Sequence, residues 1–128
     1  MSLITFLVED SATIRENLIS TLEELAEVEV VGFSDNERDA ATWLSEHHGE
    51  WKLAIVDLFL KEGSGLGVLE GCRLRAGDQK VVVLTNYATA DIRRRCAALG
   101  SDAVFDKSNE LEELIDYCRG VTHNPSLH

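Results

Sequence analysis

The sequence predicts an α/β domain in which an open, doubly wound sheet is covered by helices on both faces. Strand-like and helix-like segments alternate along the chain in five units with short connections. The clearest strand segments, "KLAIVDL" and "KVVVLT", are unbroken apolar runs rather than alternating ones. Strands that are buried on both faces are typical of a parallel sheet between two helical layers.

The first unit pairs a strand over "LITFLV" with a helix over "SATIRENLISTLEELA". The acidic pair that precedes this helix could act as N-cap residues, which the helix dipole favours. Helical spacing predicts that the buried stripe of the helix consists of Ile14, Leu18, Leu22 and Leu25.

The second unit begins with a strand over "VEVVGF". The segment "SDNE" that follows it predicts a capping box at the start of the next helix. In this motif the Ser34 side chain accepts a hydrogen bond from the backbone, and Glu37 reaches back to the cap residue.

The last three units follow the same alternation. Helices are predicted over "GSGLGVLEGCRLRA", which its glycines weaken, and over "TADIRRRCAAL". After the short strand "AVFD", Ser108 is predicted to cap the final helix. The apolar positions of that final helix are Leu111, Leu114, Ile115 and Cys118.

Length and composition indicate one domain and limit its partners. We expect the domain to cover residues 1–120, followed by a disordered tail over residues 121–128. A formal net charge of −11 argues against nucleic acid as a direct partner, because phosphate contact needs a basic face. The chain has no apolar run long enough to span a membrane and no signal-peptide pattern.

Three cysteines are spread along the chain without the spacing of a zinc site. Cys72, Cys96 and Cys118 all fall where helices should bury apolar residues. We therefore expect reduced core thiols and a cytoplasmic location.

Polar residues follow or end four of the five predicted strands. The first strand is followed by Glu9 and Asp10, the third leads into Asp57, the fourth ends in Thr85, and the fifth leads into Lys107. In sheets of this class, ligands bind at the carboxyl ends of the strands. These five residues are therefore the candidate site.

The charges of this cluster indicate a cation. Two carboxylates about 4 Å apart repel by roughly 4 kcal/mol at an effective dielectric constant near 20. Such a cluster either holds a proton or binds a divalent ion, and an oxygen-only site suits Mg²⁺, which accepts phosphate as a further ligand. With phosphate present, Asp57 is a possible nucleophile, Lys107 can neutralise phosphoryl oxygens, and Thr85 can donate to one.

This ordered set of strand-end residues resembles the receiver domain of bacterial two-component response regulators, over roughly residues 3–119. The motifs that carry the resemblance are the acidic pair, Asp57 in "LAIVDL", Thr85 in "VVVLT" and Lys107 in "VFDKS". The resemblance implies a flavodoxin-like (βα)5 fold with a five-stranded parallel sheet in the order 2-1-3-4-5.

The resemblance also implies a function, that of a phosphorylation-controlled signalling module rather than a turnover enzyme. Asp57 would accept a phosphoryl group from a histidine kinase or a phosphotransfer protein. Mg²⁺ would be held by Asp10, Asp57 and the backbone carbonyl of Phe59, with Glu9 acting through water. Thr85 would swing toward the phosphoryl group, and a downstream protein would bind the face formed by the last two helices and strand five.

Three departures from the family pattern leave an alternative open. Val104 stands where many receivers have a switching tyrosine or phenylalanine, and Phe105 should point to the opposite face of the sheet. Ser108 stands where many receivers have proline, so a cis peptide bond there is not assured, and Asn86 stands where a smaller residue is common. The alternative is a degenerate receiver that binds a protein partner independently of phosphorylation.

Phe59 and Tyr87 lie two residues beyond Asp57 and Thr85. If the two aromatic rings cover an aspartyl phosphate, they should hinder attack by water and slow its hydrolysis. A basic run over residues 93–95 is interpreted as a solvated helix face in preference to a docking patch.

Two other classes of function are disfavoured. An aspartyl phosphatase generally has a second aspartate two residues after the first, where this chain has Phe59. A flavin-binding flavodoxin is disfavoured because Glu9 and Asp10 would repel the phosphate of the cofactor.

Overall fold

Strands and helices alternate through residues 2–123, which are the residues that the computed structural model describes. The elements in chain order are β1 (Leu3–Val8), α1 (Ala12–Leu25), β2 (Val28–Ser34), α2 (Glu37–Glu46), β3 (Leu53–Val56), α3 (Gly65–Gly71), β4 (Lys80–Thr85), α4 (Ala90–Ala98), β5 (Ala103–Asp106) and α5 (Leu111–His123). The strands form one parallel sheet in the order β2-β1-β3-β4-β5. The predicted doubly wound fold and its strand order are confirmed.

The sheet separates two apolar cores, because side chains of a strand alternate between its faces. Ile55 and Val82 pack in the core beneath α1 and α5. Their chain neighbours Val56 and Val83 pack in the core beneath α2, α3 and α4. The central strands are therefore buried on both faces, which explains why their sequences are unbroken apolar runs.

The caps of the first two helices differ from those predicted. Ser11, not the acidic pair, caps α1 and accepts from the Ile14 amide at 3.3 Å. Asn36 caps α2 and accepts from the Asp39 amide at 2.8 Å, so the predicted capping box of Ser34 with Glu37 is wrong. The reason for the difference is that Ser34 is the last residue of β2, so a side chain beyond the strand, that of Asn36, caps the helix.

The start of α5 also differs, since Ser108 lies in a turn and does not cap the helix. One carboxylate oxygen of Asp106 accepts from the amides of Ser108 at 2.7 Å and Asn109 at 3.2 Å. At its other end, α5 continues through residues 121–123, which were predicted as tail. The remaining predicted tail, residues 124–128, lies outside the described residues.

Helix α1 buries only part of its predicted stripe. Leu18 and Leu22 are buried, whereas Ile14 and Leu25 are 40 % and 45 % exposed. These two residues lie toward the two ends of the helix, beyond the part that packs on the sheet. Helix α3 has seven residues, half the predicted length, and turns replace its second half.

Within the described residues, no helix is both long enough and apolar enough to cross a membrane. The three cysteines are buried and form no disulfide with one another, as predicted. Cys72 and Cys96 belong to the core beneath α2, α3 and α4, and Cys118 belongs to the core on the other face of the sheet.

We expect these thiols to resist modification in the folded chain. Burial raises the pKa of Cys72 to about 11, against the opposing charge of Arg75, and raises that of Cys118 to about 12. At pH 8, the thiolate fraction of a group with a pKa of 11 is about one in a thousand. A disulfide reagent such as DTNB at pH 8 should label all three residues rapidly only in denaturant, and fast labelling of the native chain would contradict this.

The same shifts give stability a pH dependence. Thiols of the unfolded chain ionise near pH 8.5, about 2 or more pH units below the buried ones. A raised pKa in the folded state stabilises the fold below the unfolded pKa, and this contribution is lost as the pH rises. The free energy of unfolding should therefore fall between about pH 8.5 and 11, measured by urea titration at each pH.

Candidate acidic site at the carboxyl edge of the sheet

The five predicted site residues lie together in a cleft of about 210 Å³ at the carboxyl edge of the sheet. The backbones of Glu9, Asp57 and Lys107 continue the sheet by one residue past the strand ends. The Glu9 amide donates to Ser34 O at 3.0 Å, the Asp57 amide to Val8 O at 3.0 Å, and the Lys107 amide to Thr85 O at 2.9 Å. The parallel strands thereby bring side chains that are distant in the sequence to one edge.

The ammonium group of Lys107 bridges two buried carboxylates. Its Nζ lies 2.5 Å from Glu9 Oε1 and 3.0 Å from Asp57 Oδ2. Glu9 is only 2 % exposed and Asp57 only 7 %. Burial by itself lowers the pKa of Lys107, but the hydrogen bonds to these carboxylates and their charges outweigh it, so the pKa is raised. The lysine therefore stays charged at neutral pH.

The carboxylate oxygens of the cluster differ in how far they are already engaged. One oxygen from each of Glu9, Asp10 and Asp57 lies within 4.8 Å of the others. Both oxygens of Glu9 have partners, since Oε1 accepts from the lysine and Oε2 accepts from the Ser11 amide at 3.0 Å.

Each of the two aspartates of the cluster has a carboxylate oxygen that can accept a further ligand. Asp10 Oδ2 accepts from the Lys61 amide at 2.8 Å, and no hydrogen bond among residues 2–123 engages its Oδ1. Asp57 Oδ1 accepts only a long contact of 3.4 Å from the Phe59 amide. Carboxylate oxygens are ligands that hard divalent cations such as Mg²⁺ prefer, and each aspartate offers one that is not strongly hydrogen-bonded. The residues present fit a cation bound directly by Asp10 and Asp57, with Glu9 held back by its partners.

The loop after Asp57 is folded tightly against the strand that precedes it. A Cβ atom at Gly65 would collide with the Asp57 carbonyl oxygen, so this close approach requires glycine. The Gly65 amide donates to Leu58 O at 2.9 Å, and Phe59 pairs with Ser64 in an antiparallel bridge. The carbonyl of Phe59, which the resemblance assigned to the metal, belongs to this constrained loop.

Glu37 anchors the same loop from α2, a role that its local sequence did not indicate. Its Oε1 accepts from the Ser64 amide at 2.8 Å, and its own amide donates to Glu62 O at 3.2 Å. Gly63 and Gly67 lie against its side chain, and a Cβ at either position would collide with it. Glu37 therefore connects α2 to the loop after Asp57, and the two glycines leave room for its side chain.

Thr85 and the two flanking aromatic residues complete the cleft. Thr85 is fully buried, and its Oγ1 accepts from the Tyr87 amide at 3.2 Å. The rings of Phe59 and Tyr87 meet edge to face with centroids 4.7 Å apart. Both rings line the cleft, and each is more than half exposed. The two aromatic side chains thus form a pair beside Asp57.

Strand β5 presents no aromatic ring to the face where the family's switching residue is expected. Val104 packs against the core beneath α2, α3 and α4, and Phe105 packs in the opposite core, as its sequence position predicts. The described residues contain no cis peptide bond. Arg93, which was grouped with a solvated basic run, instead donates hydrogen bonds to Ala88, Val104 and Glu110.

Comparisons with known proteins agree with this geometry. The family model described as "Response regulator receiver domain" matches residues 5–119. The acid tolerance regulatory protein ActR of Rhizobium meliloti (strain 1021) is 33% identical over 64 residues, which are 50% of this chain and 33% of that protein. The chain thus spans about a third of the length of the curated relatives it matches.

Solved structures share the fold at low identity. A two-component response regulator of the LuxR family from Aurantimonas sp. SI85-9A1 has a TM-score of 0.84 at 18% identity, over 96% of this chain and 86% of that one. A response regulator from Burkholderia pseudomallei, with a phosphorylated aspartic acid, calcium ion and citrate, has a TM-score of 0.76 at 21% identity, over 98% and 74% of the two chains.

The crowding of carboxylates predicts that Asp10→Asn stabilises the chain when no divalent cation is present. The amide oxygen can still accept from the Lys61 amide, but one repelling charge is removed. We expect the free energy of unfolding in EDTA to rise by about 1 kcal/mol, because the residue is partly exposed and its repulsion is screened.

Glu24→Gln is the matched control, since it removes the same charge from an exposed position on α1. It should change the stability by less than about 0.5 kcal/mol. Equal effects of the two substitutions would assign any gain to net charge and not to the cluster.

Proposed function

Because this chain belongs to the response regulator receiver domain family, we propose that it is a phosphorylation-controlled signalling module of a two-component phosphorelay. Asp57 accepts a phosphoryl group from the phosphohistidine of a histidine kinase or phosphotransfer protein, with Mg²⁺ bound, and the modification changes a partner-binding surface. The observation that carries this proposal is the bridge of Lys107 between Glu9 and Asp57, with Asp57 Oδ1 left weakly engaged.

The residues of the cleft suit a transfer of this kind. A carboxylate oxygen of Asp57 forms a bond to phosphorus as the phosphorus–nitrogen bond of the donor breaks, and the imidazole leaves with the electron pair. Lys107 can exchange its contact with Asp57 for one with a phosphoryl oxygen, because its ammonium already lies 3.0 Å from Oδ2. The Thr85 hydroxyl can donate to another phosphoryl oxygen once its loop has moved.

The acidic cluster fits Mg²⁺ as the cofactor. Asp10, Asp57 and the carbonyl of Phe59 would hold the ion, and Glu9 would act through water because both of its oxygens have partners. When bound, the ion supplies positive charge that offsets the repulsion between the carboxylates and the incoming phosphate. The Burkholderia pseudomallei response regulator, which has a phosphorylated aspartic acid and a calcium ion, supports this assignment by analogy.

The output of the module is proposed to be a protein contact. A downstream protein would bind the face formed by α4, β5 and α5, in the cytoplasm and without direct contact with nucleic acid or membrane. The net charge of −11 supports the exclusion of nucleic acid. Val104, which places no ring on the switching face, favours the alternative of a phosphorylation-independent binding module.

The first test is the intact mass after incubation with acetyl phosphate, with and without Mg²⁺. We expect a single phosphoryl adduct in the wild type that requires Mg²⁺ and is absent from Asp57→Asn. Asp35→Asn, an exposed carboxylate outside the site, is the control and should form the adduct normally. An adduct that persists in Asp57→Asn, or none in the wild type from either acetyl phosphate or a phosphohistidine donor, would leave the binding module as the better interpretation.

The aromatic pair gives a second prediction. If Phe59 and Tyr87 shield the aspartyl phosphate, then Phe59→Asn should speed its hydrolysis about threefold or more, because water reaches the phosphorus more easily. The decay of the adduct after removal of the phosphodonor measures the rate. Leu74→Asn is the control, since Leu74 is 94% exposed and remote from the cleft. An unchanged decay rate in Phe59→Asn would rule out shielding.

A further inference from the structure

Arg93 connects three elements on the face that is proposed to carry the output. Its Nε donates to Ala88 O at 3.0 Å and its Nη1 to Val104 O at 3.0 Å. Its Nη2 contacts Glu110 Oε1 at 2.7 Å. One guanidinium group therefore holds the β4–α4 loop, strand β5 and the residue that precedes α5.

The neighbouring arginines make no such connection. The side chains of Arg94 and Arg95 are 73% and 63% exposed, and among residues 2–123 both form ion pairs only with Asp91 on their own helix. The basic run is thus a solvated face at two positions and an inter-element contact at the third. A planar guanidinium group directs several N–H donors at fixed angles. Arg93 uses this geometry to bind three acceptors, whereas the solvated Arg94 and Arg95 do not.

Glu110 extends the connection back toward the site. The oxygen that contacts Arg93 also accepts from the Asp106 amide at 2.9 Å, and Asp106 directly precedes Lys107. The hydrogen bond from Arg93 lowers the pKa of the Glu110 carboxyl, so this group is charged at neutral pH. Arg93 is in this way linked to the strand end that supplies the site lysine.

On the other side, Arg93 holds the loop that follows Thr85. The Thr85 hydroxyl accepts from the Tyr87 amide, and the Thr89 amide donates to Tyr87 O at 2.8 Å. A shift of that hydroxyl toward Asp57 breaks its bond to the Tyr87 amide and releases residues 86–89 from the side chain at the strand end. Ala88 is one of these residues, and its carbonyl oxygen is held by Arg93.

We propose that Arg93 is a positioning residue that transmits movement of the Thr85 loop to β5 and to the start of α5, in the place of the absent aromatic switch. This inference rests on the proposed function and specifies its regulation. If Ala88 moves, Arg93 loses one hydrogen bond, and the geometry of its two other contacts, with Val104 O and with Glu110, changes. A ligand or modification shifts such an equilibrium only by the difference in its interactions with the two arrangements.

The test compares Arg93→Gln with Arg94→Gln, which removes the same charge from the next position of the same helix. Intact mass measures the extent of phosphorylation, and amide hydrogen exchange is followed in peptides that cover residues 86–93 and 104–114. In the wild type and in Arg94→Gln, phosphorylation should change exchange in both segments. In Arg93→Gln, the phosphoryl group should still be accepted, and the change should be confined to the first segment.

Amide hydrogen exchange of the unphosphorylated chain gives an independent readout. In Arg93→Gln, amides at the start of α5 should exchange about three- to fivefold faster, the factor that a partly exposed ion pair supplies. Arg93→Lys should not restore the coupling, because its donors all lie on one nitrogen, whereas Arg93 reaches the three acceptors from three separate nitrogens of a planar group. Glu110→Ala, which removes the acceptor oxygen, should reproduce the loss, and adding Arg93→Gln to it should reduce the coupling no further.

The outcomes are separable. A normal phosphorylation-induced change over residues 104–114 in Arg93→Gln would overturn the assignment of Arg93, while the phosphoryl adduct would leave the proposed function standing. Loss of coupling in Arg94→Gln to the same extent would also overturn it, since net charge would then be the cause. A wild-type chain that takes no phosphoryl group would overturn the proposed function, and the inference with it.

Discussion

The contact of one ammonium with two buried carboxylates is the interaction on which the rest of the site depends. Lys107 reaches Glu9 from 98 residues away and Asp57 from 50. Without a cation, two buried carboxylates so close together would favour protonation or local unfolding. The lysine offsets part of that repulsion and leaves each aspartate with an oxygen that is only weakly engaged or exposed to further ligands. The chain thus keeps an acidic cleft that is stable enough to fold and charged enough to attract a metal ion.

The parallel sheet makes this arrangement possible, because it delivers all of its strand ends to one edge. The same topology places the supporting contacts around the cleft. Glu37 holds the loop after Asp57 from one side, and Arg93 holds the loop after Thr85 from the other. Both loops begin at residues that are proposed to contact the phosphoryl group. The two loops of the site are therefore each tied to a helix by one charged side chain.

The apolar runs predicted the strands, and the polar residues at the strand ends predicted that Glu9, Asp10, Asp57, Thr85 and Lys107 would meet at one edge of the sheet. The strand order followed from the family resemblance. The sequence prediction was wrong about the helix caps, because Asn36 replaces Ser34 at the start of α2, and Ser108 lies in a turn that Asp106 holds before α5. Several side chains within two residues can satisfy the same amides there, so local spacing does not decide between them. The roles of Glu37 and Arg93 were not predicted, because their partners lie up to 27 and 17 residues away. Only tertiary packing brings those partners within hydrogen-bonding distance.

The fit of Glu37 between two glycines has an evolutionary consequence. A Cβ at position 67 would collide with the carboxylate of Glu37, so a side chain there would displace that group from its contact with the Ser64 amide. Gly67→Ala should be tolerated in a variant that has a shorter side chain at position 37, and should destabilise the chain that keeps Glu37. Gly63 is less free to change, because its φ of 82° suits glycine whatever its neighbour. Positions 37 and 67 therefore form an epistatic pair, and related chains should exchange them together.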